Sequence, residues 1–196
     1  MTKYEQHVAK WQNCQLCKLC VNRTNIVLGK GKVPCDILIV AEAPGASEDI
    51  IGRPLVGPSG KLLDEIIRQS GAEKYRLAFT NLVACIPLDD SGEDKLVAPP
   101  PEAIKACKNR LIEFAQLANP KMVVCVGALA AKWCPEFLSK KLVYVNIVHP
   151  AAILRGNLAQ RGLSIQRAVV ILSTAIEDHL EKINNEHLEI PKLSGM

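Results

Sequence analysis

Four short runs of the chain are apolar throughout or nearly so, at residues 37–40, 77–83, 123–126 and 143–148. The first, Ile37-Leu38-Ile39-Val40, has no polar face at all, which predicts a parallel strand covered by helices on both sides. Between these runs the apolar positions recur at helical spacing. Leu62, Leu63, Ile66 and Ile67 mark a helix over 59–71, with Gly71 placed to cap it. Further helices are predicted over 101–118, opened by Pro101, over 128–133, and over 164–183, and Tyr4, Val8 and Trp11 give a first one over 2–12. Strands alternating with helices predict an α/β three-layer sandwich around a four-stranded parallel sheet.

Polar and turn-forming residues punctuate this pattern unevenly. After the first strand, Pro44, Gly45, Gly52, Pro54, Gly57, Pro58 and Gly60 predict about twenty residues of irregular backbone, longer than loops in compact domains usually run. That loop starts at the carboxyl end of a central strand, where open α/β sheets bind ligands. Glu42 follows the first strand, Asn81 ends the second and His149 follows the fourth, so all three converge on that edge. The lysine-glycine segment over 23–32 reads as a short flexible basic segment, either a solvated turn or one whose amides and charges approach a phosphate. Residues 88–101 read as an acidic exposed excursion, and the stretch after Asn184 as a frayed polar tail.

Length adds that 196 residues suit one domain, spanning 1–196 with a cysteine-bearing N-terminal segment over 1–34 and the tail over 185–196. No apolar stretch approaches the roughly 20 residues that cross a bilayer, and the N-terminus lacks the apolar core of a signal peptide, so the expectation is a cytoplasmic monomer away from membranes. A net charge of +4 is compatible with a polyanionic partner without demanding one.

Eight cysteines change the picture more. In a reducing compartment clustered cysteines more often hold metals than form disulfides. Cys14, Cys17 and Cys20 are spaced C-x2-C-x2-C, Cys85 follows a strand and Cys107 lies in a helix, whereas Cys35, Cys125 and Cys134 sit in apolar surroundings and read as core.

Taken together, the AEAPG run over 41–45, the GRPLVGPSGKLLD run over 52–64, Asn81 four residues before Cys85, Cys107, and the HPAAILR run over 149–155 resemble the family-4 uracil-DNA glycosylases, the iron-sulfur branch of the uracil-DNA glycosylase superfamily. The resemblance implies a monofunctional DNA glycosylase that flips a pyrimidine out of DNA, single- or double-stranded, and hydrolyses its N-glycosidic bond, in base-excision repair. It implies that Asn81 pairs with the Watson-Crick edge of the base, and that His149 donates toward its O2 as negative charge grows there. Ala43, Gly45 and Leu55 would line the pocket. Ala43 stands where better-known uracil glycosylases carry a water-polarising aspartate, which leaves Glu42, Glu48 or Asp49 to position water, Glu42 first among them. Ala151, Ile153, Leu154 and Arg155 would meet DNA, with Ile153 or Leu154 as the wedge that fills the vacated space and Arg155 on a phosphate. Cys14, Cys17, Cys85 and Cys107 would hold a [4Fe-4S] cluster.

Three departures from the family pattern leave alternatives open. Leu55 replaces the phenylalanine expected to stack on uracil, Ala84 and Ile86 replace long cations beside Cys85, and the interval from Cys85 to Cys107 is longer. A bulkier modified pyrimidine, of the kind some phage genomes contain, is therefore a rival substrate. Zinc on the same cysteines, or a cluster that uses Cys20, is a rival metal centre. A non-catalytic iron-sulfur DNA-binding module and a small electron-transfer protein are the rival function classes.

Overall fold

The computed structural model describes residues 1–89 and 95–182. Its sheet has five strands in the order β1-β3-β2-β4-β5: β1 (Lys30–Gly31), β2 (Ile37–Ala41), β3 (Leu77–Asn81), β4 (Met122–Val126) and β5 (Val143–Ile147). Four of them, β2 to β5, are parallel, as the apolar runs predict. The two central strands, ILIVA and MVVCV, are buried at every position, because helices cover both faces.

The fifth strand corrects the sequence reading. The lysine-glycine segment is not a free turn: Lys30 and Gly31 pair antiparallel with Phe79 and Ala78 on the outer edge of β3. Gly31 allows this approach. Its φ is +103°, and a Cβ there would stand 2.3 Å from the Leu77 carbonyl oxygen.

Among the described residues seven α-helices flank the sheet: α1 (Lys3–Trp11), α2 (Ala46–Ile51), α3 (Pro58–Gln69), α4 (Pro101–Ala118), α5 (Ala128–Phe137), α6 (Pro150–Arg155) and α7 (Leu158–Ile176). Alternate residues of each strand feed two cores. Ile37, Ile39 and Val124 pack with Leu63 and Ile66 of α3 and Leu172 of α7. Leu38, Val40 and Cys125 pack on the opposite face with Leu111 and Phe114 of α4 and Trp133 of α5. The helix over 101–118 has the expected bounds, opened by Pro101 and closed by Asn119 in the left-handed region at φ +42°. The last helix starts six residues earlier than its periodicity suggests, where the Asn157 side chain accepts a hydrogen bond from the Ala159 amide. Of the remaining expectations, the tail after Asn184 and residues 90–94 of the acidic excursion lie outside the described residues. The stem of that excursion is held by the Asp89 amide donating to the Lys95 carbonyl and the Val97 amide donating to that of Pro87.

Strand order places the site. The chain runs from β2 outward to β3, then crosses back over β2 to β4, so the carboxyl ends of β2 and β4 flank the point where the winding reverses. Among the described residues no helix is long and apolar enough to cross a membrane.

Candidate active site and cysteine pocket

The end of β2 is paired in register with the end of β3, Ala41 opposite Asn81. Pairing continues past both strands, through the Leu82 amide to the Ala41 carbonyl at 2.9 Å and the Val83 amide to that of Glu42 at 3.2 Å. Asn81 is thereby fixed at 1% exposure, and its side-chain Nδ2 has no hydrogen-bond partner. A buried amide donor left unpaired costs the fold free energy, so it points to a ligand that supplies the acceptor.

His149 has the complementary property. It caps α6, its Nδ1 accepting the Ala151 amide at 3.1 Å, so in the neutral ring the proton resides on Nε2. Burial lowers its pKa below the ordinary 6.5, opposed by Glu42 and reinforced by Arg155. The neutral donor therefore persists at pH 7. Because the folded pKa is depressed, protonation sets in below pH 6.5 and replaces the acceptor that holds α6. The acid limb of the kcat/KM profile is accordingly expected below pH 6.5. A limb centred above that value would mean that the ring is not buried in the working enzyme.

Glu42 is anchored rather than free. Its Oε1 accepts the Leu129 amide at 3.1 Å, at the N-terminus of α5. Gly127 makes room for this: with φ +99°, a Cβ there would lie 2.3 Å from Glu42 Oε1 and 3.2 Å from His149 Cβ. Sequence reasoning did not single out Gly127, although a glycine directly after an apolar strand on the ligand-binding edge was the available signal. Glu42, Ala43, Gly127, His149 and Arg155 line one open cleft of about 810 Å³. Leu96 to Pro99 of the excursion, also not foreseen, line it too.

The long loop holds a surprise in α2, bounded by Gly45 and Gly52. Its carboxylates are committed to the backbone. Glu48 accepts the amides of Gly45 at 3.0 Å, Val56 at 2.9 Å and Gly57 at 2.7 Å, and Asp49 accepts those of Thr24 at 2.8 Å and Asn25 at 3.3 Å. Both oxygens of Glu48 and of Asp49 are thus engaged, whereas Glu42 accepts an amide through Oε1 alone among the described residues. Leu55 is 7% exposed, packs in the core beneath the loop and holds a left-handed backbone at φ +53°, a conformation that costs a leucine about 1–3 kcal/mol. Lys30 Nζ fixes it by donating to its carbonyl at 2.9 Å.

On α6 the two wedge candidates separate. Ile153 is 4% exposed and belongs to the core, so it is not available to enter a groove; the helix turns that position toward α3 and α7. Leu154 is only partly buried, and Arg155 is exposed.

A second pocket gathers Cys14, Cys17, Cys20, Cys85 and Cys107 from the N-terminal segment, the chain after β3 and α4. Among the described residues no three His, Cys, Asp or Glu side chains are poised to share a single metal ion. Five thiols drawn from three segments are a donor set that an all-cysteine iron-sulfur cluster or a tetrahedral ion can use. Burial pushes the Cys85 thiol up to about 11, against the pull of Arg23, whose Nη1 donates to Cys85 Sγ at 3.3 Å. The only charged side chains lining the pocket are Arg23 and Arg110, and no carboxylate lines it. That electrostatic wall fits an anionic thiolate cluster.

The family model for the uracil DNA glycosylase superfamily matches residues 28–173. The chain is 38% identical over 137 residues to the type-4 uracil-DNA glycosylase of Thermotoga maritima, covering 70% of this chain and 67% of that one. It is 30% identical over 174 residues to the type-4 uracil-DNA glycosylase of Archaeoglobus fulgidus, covering 79% and 84%. The chain belongs to the type-4 uracil-DNA glycosylase family. A similar relative from Pyrobaculum aerophilum shares 32% over 164 residues, 74% of this chain and 81% of that one. The crystal structure of WT Pedobacter heparinus SMUG2 superposes with a TM-score of 0.54 at 17% identity, over 76% of each chain, and shares the fold.

Proposed function

We propose that this protein is a monofunctional DNA glycosylase that extrudes uracil from DNA and hydrolyses its N-glycosidic bond in base-excision repair. The observation that carries the reading is the buried, unpartnered Nδ2 of Asn81 at the same sheet edge as the Nε2 donor of His149. Uracil presents carbonyl oxygens that one such amide can recognise, and the base can reach it only when flipped out of the stack. In the reaction the C1′–N1 bond breaks, its electron pair leaves on the uracil, and water supplies hydroxide to C1′ and a proton to the departing anion. His149 Nε2–H stabilises the charge growing on O2, and Glu42 orients the water from the sugar side. Ala43 and Gly45 line the sugar face, and Leu55 closes the pocket from below.

Cys14, Cys17, Cys85 and Cys107 would hold a [4Fe-4S] cluster. When bound, it supplies cross-linking rather than bond chemistry, pinning the N-terminal segment to α4 and to the chain after β3. The DNA-facing surface is α6, where Leu154 fills the vacated stack and Ala151 and Arg155 meet the backbone. Arg155→Ala should mainly weaken DNA binding, and the plot of log affinity against log salt should become shallower by about one unit. An unchanged slope removes Arg155 from the phosphate contacts.

Mass spectrometry of the base released from uracil-containing DNA and from DNAs bearing enlarged pyrimidines tests the whole assignment. Release of uracil alone supports it; release of a larger base in its place overturns the substrate. Leu55, where the family pattern has an aromatic ring, favours keeping that second arm. With uracil as substrate, Leu55→Phe should speed single-turnover excision by roughly tenfold, the scale of base-aromatic stacking. A site shaped for a larger base should instead lose activity on it.

A further inference from the structure

Arg110 is the largest fully buried side chain in the protein, at 1% exposure. An arginine cannot shed its proton inside a protein, so its charge is buried with it. Its hydrogen bonds all go to neutral oxygens. Nη1 donates to Thr80 Oγ1 at 2.7 Å and to the Leu28 carbonyl at 3.3 Å; Nη2 donates to the Leu82 carbonyl at 3.0 Å and, very closely, to that of Asn81. Nε has no partner. Among the described residues no carboxylate pairs with it: Glu113, one turn along α4, is taken by His7 and Lys10. Carbonyl dipoles solvate a buried guanidinium, but they do not cancel its charge, and an uncompensated buried ion is strongly unfavourable.

Among the described residues, the cysteine pocket is where an anion would meet Arg110. Arg110 lines the cysteine pocket, on the same helix as Cys107 and one turn away, and four thiolates around a [4Fe-4S] core carry net negative charge. We propose that Arg110 is the internal counter-cation of the cysteine-held cluster and the positioning residue through which cluster occupancy fixes the strand end that carries Asn81. Arg110 borders the pocket, and its Nη2 clamps the carbonyls of Asn81 and Leu82. With the cluster in place the clamp is electrically balanced. Without it the guanidinium draws in water or solvent anions, and the backbone it holds loosens. The proposal rests on the cluster reading above.

The test compares Arg110→Lys, which keeps the charge, with Arg110→Met, which keeps volume alone, by iron content and by the midpoint potential of the cluster in an EPR-monitored titration without DNA. Wild type purified anaerobically without iron overturns the cluster reading itself, before either variant is measured. With iron in wild type, Arg110→Met should either lose iron that Arg110→Lys retains or keep it at a more negative potential, because a lost positive charge disfavours the added electron. In both variants kcat/KM on uracil-containing DNA should fall about tenfold, the scale of one lost charge-assisted hydrogen bond, and mainly through kcat. Full iron and an unchanged potential in Arg110→Met overturn the counter-cation role. Equal loss of iron in both variants overturns it too, by showing that a retained positive charge does not protect the cluster.

Discussion

Asn81→Ala is expected to slow uracil excision at least about 100-fold while leaving the melting temperature unchanged or slightly raised. The two halves of this expectation come from one fact. The strand end that carries Asn81 is held by backbone pairing to Ala41 and by Arg110 on its carbonyl, neither of which involves the Asn81 side chain. Its Nδ2 contributes no hydrogen bond to the fold and is buried without a partner. Removing it relieves a desolvation cost in the free protein and deletes the donor only from the complex with the flipped base. A structural asparagine behaves the opposite way, with stability falling and activity following it down. His149→Ala separates from Asn81→Ala by the same reasoning: activity should also fall by about 100-fold, but the lost cap of α6 should cost about 1 kcal/mol of stability. Thermal melts run beside single-turnover excision decide the matter, and a wild-type rate in both variants would show that the chemistry lies elsewhere.

Cys107→Ser should abolish the metal centre, taking roughly four irons per chain to nearly none and most of the soluble yield with them. Cys107 sits on α4, which also docks α1 through Tyr4 and Phe114, ring centroids 6.1 Å apart, and through His7 and Glu113 at 2.8 Å. The segment between α1 and β1 has one single-turn helix, Lys18–Cys20, with no buried residue in it. That turn carries Cys20 and follows Cys17, whereas Val27 and Leu28 further along the segment are buried. Cys125→Ser, on β4 and outside the pocket lining, should keep both iron and yield. Iron and zinc analysis of anaerobically purified protein measures this directly, and stoichiometric zinc without iron in wild type would replace the cluster by a single-metal site.

How much of this could be read before the structure depends on the range of the forces involved. β2 and β4 were legible because burial on both faces removes polar residues from consecutive positions, and α3 and α4 because one buried stripe repeats every turn. β1 was not, since two residues carry no periodicity and their pairing depends on how closely Gly31 approaches Leu77. α2 was hidden for another reason: Gly45 and Gly52, read as breakers of structure, are its two ends. Strand order alone brought Glu42, Asn81 and His149 to one edge of the sheet, and the strands do end there. What each carboxylate does was not legible, because Glu48 and Asp49 find their amide partners across the loop and in the segment before β1. Ile153 and Leu154 are neighbours of equal apolarity, and only the phase of α6 against the core decides which is buried. Arg110 looked like one more cation on an amphipathic helix, and nothing local marks it as enclosed.

The distribution of thiols gives the protein two built-in reporters of opening. Cys35, Cys125 and Cys134 are at most 2% exposed, whereas Cys14, Cys17, Cys20 and Cys107 reach solvent in part. Contact with Cys125, and then burial, raise the pKa of Cys134 far above that of a free thiol, so alkylating reagents find no thiolate there in the native state. Labelling of Cys125 and Cys134 must therefore wait for the β4 and α5 core to open, and its rate reads global unfolding. Labelling of the pocket cysteines reads only the local state of the metal centre. Peptide mapping after a timed alkylation pulse would follow both processes in one unmodified sample.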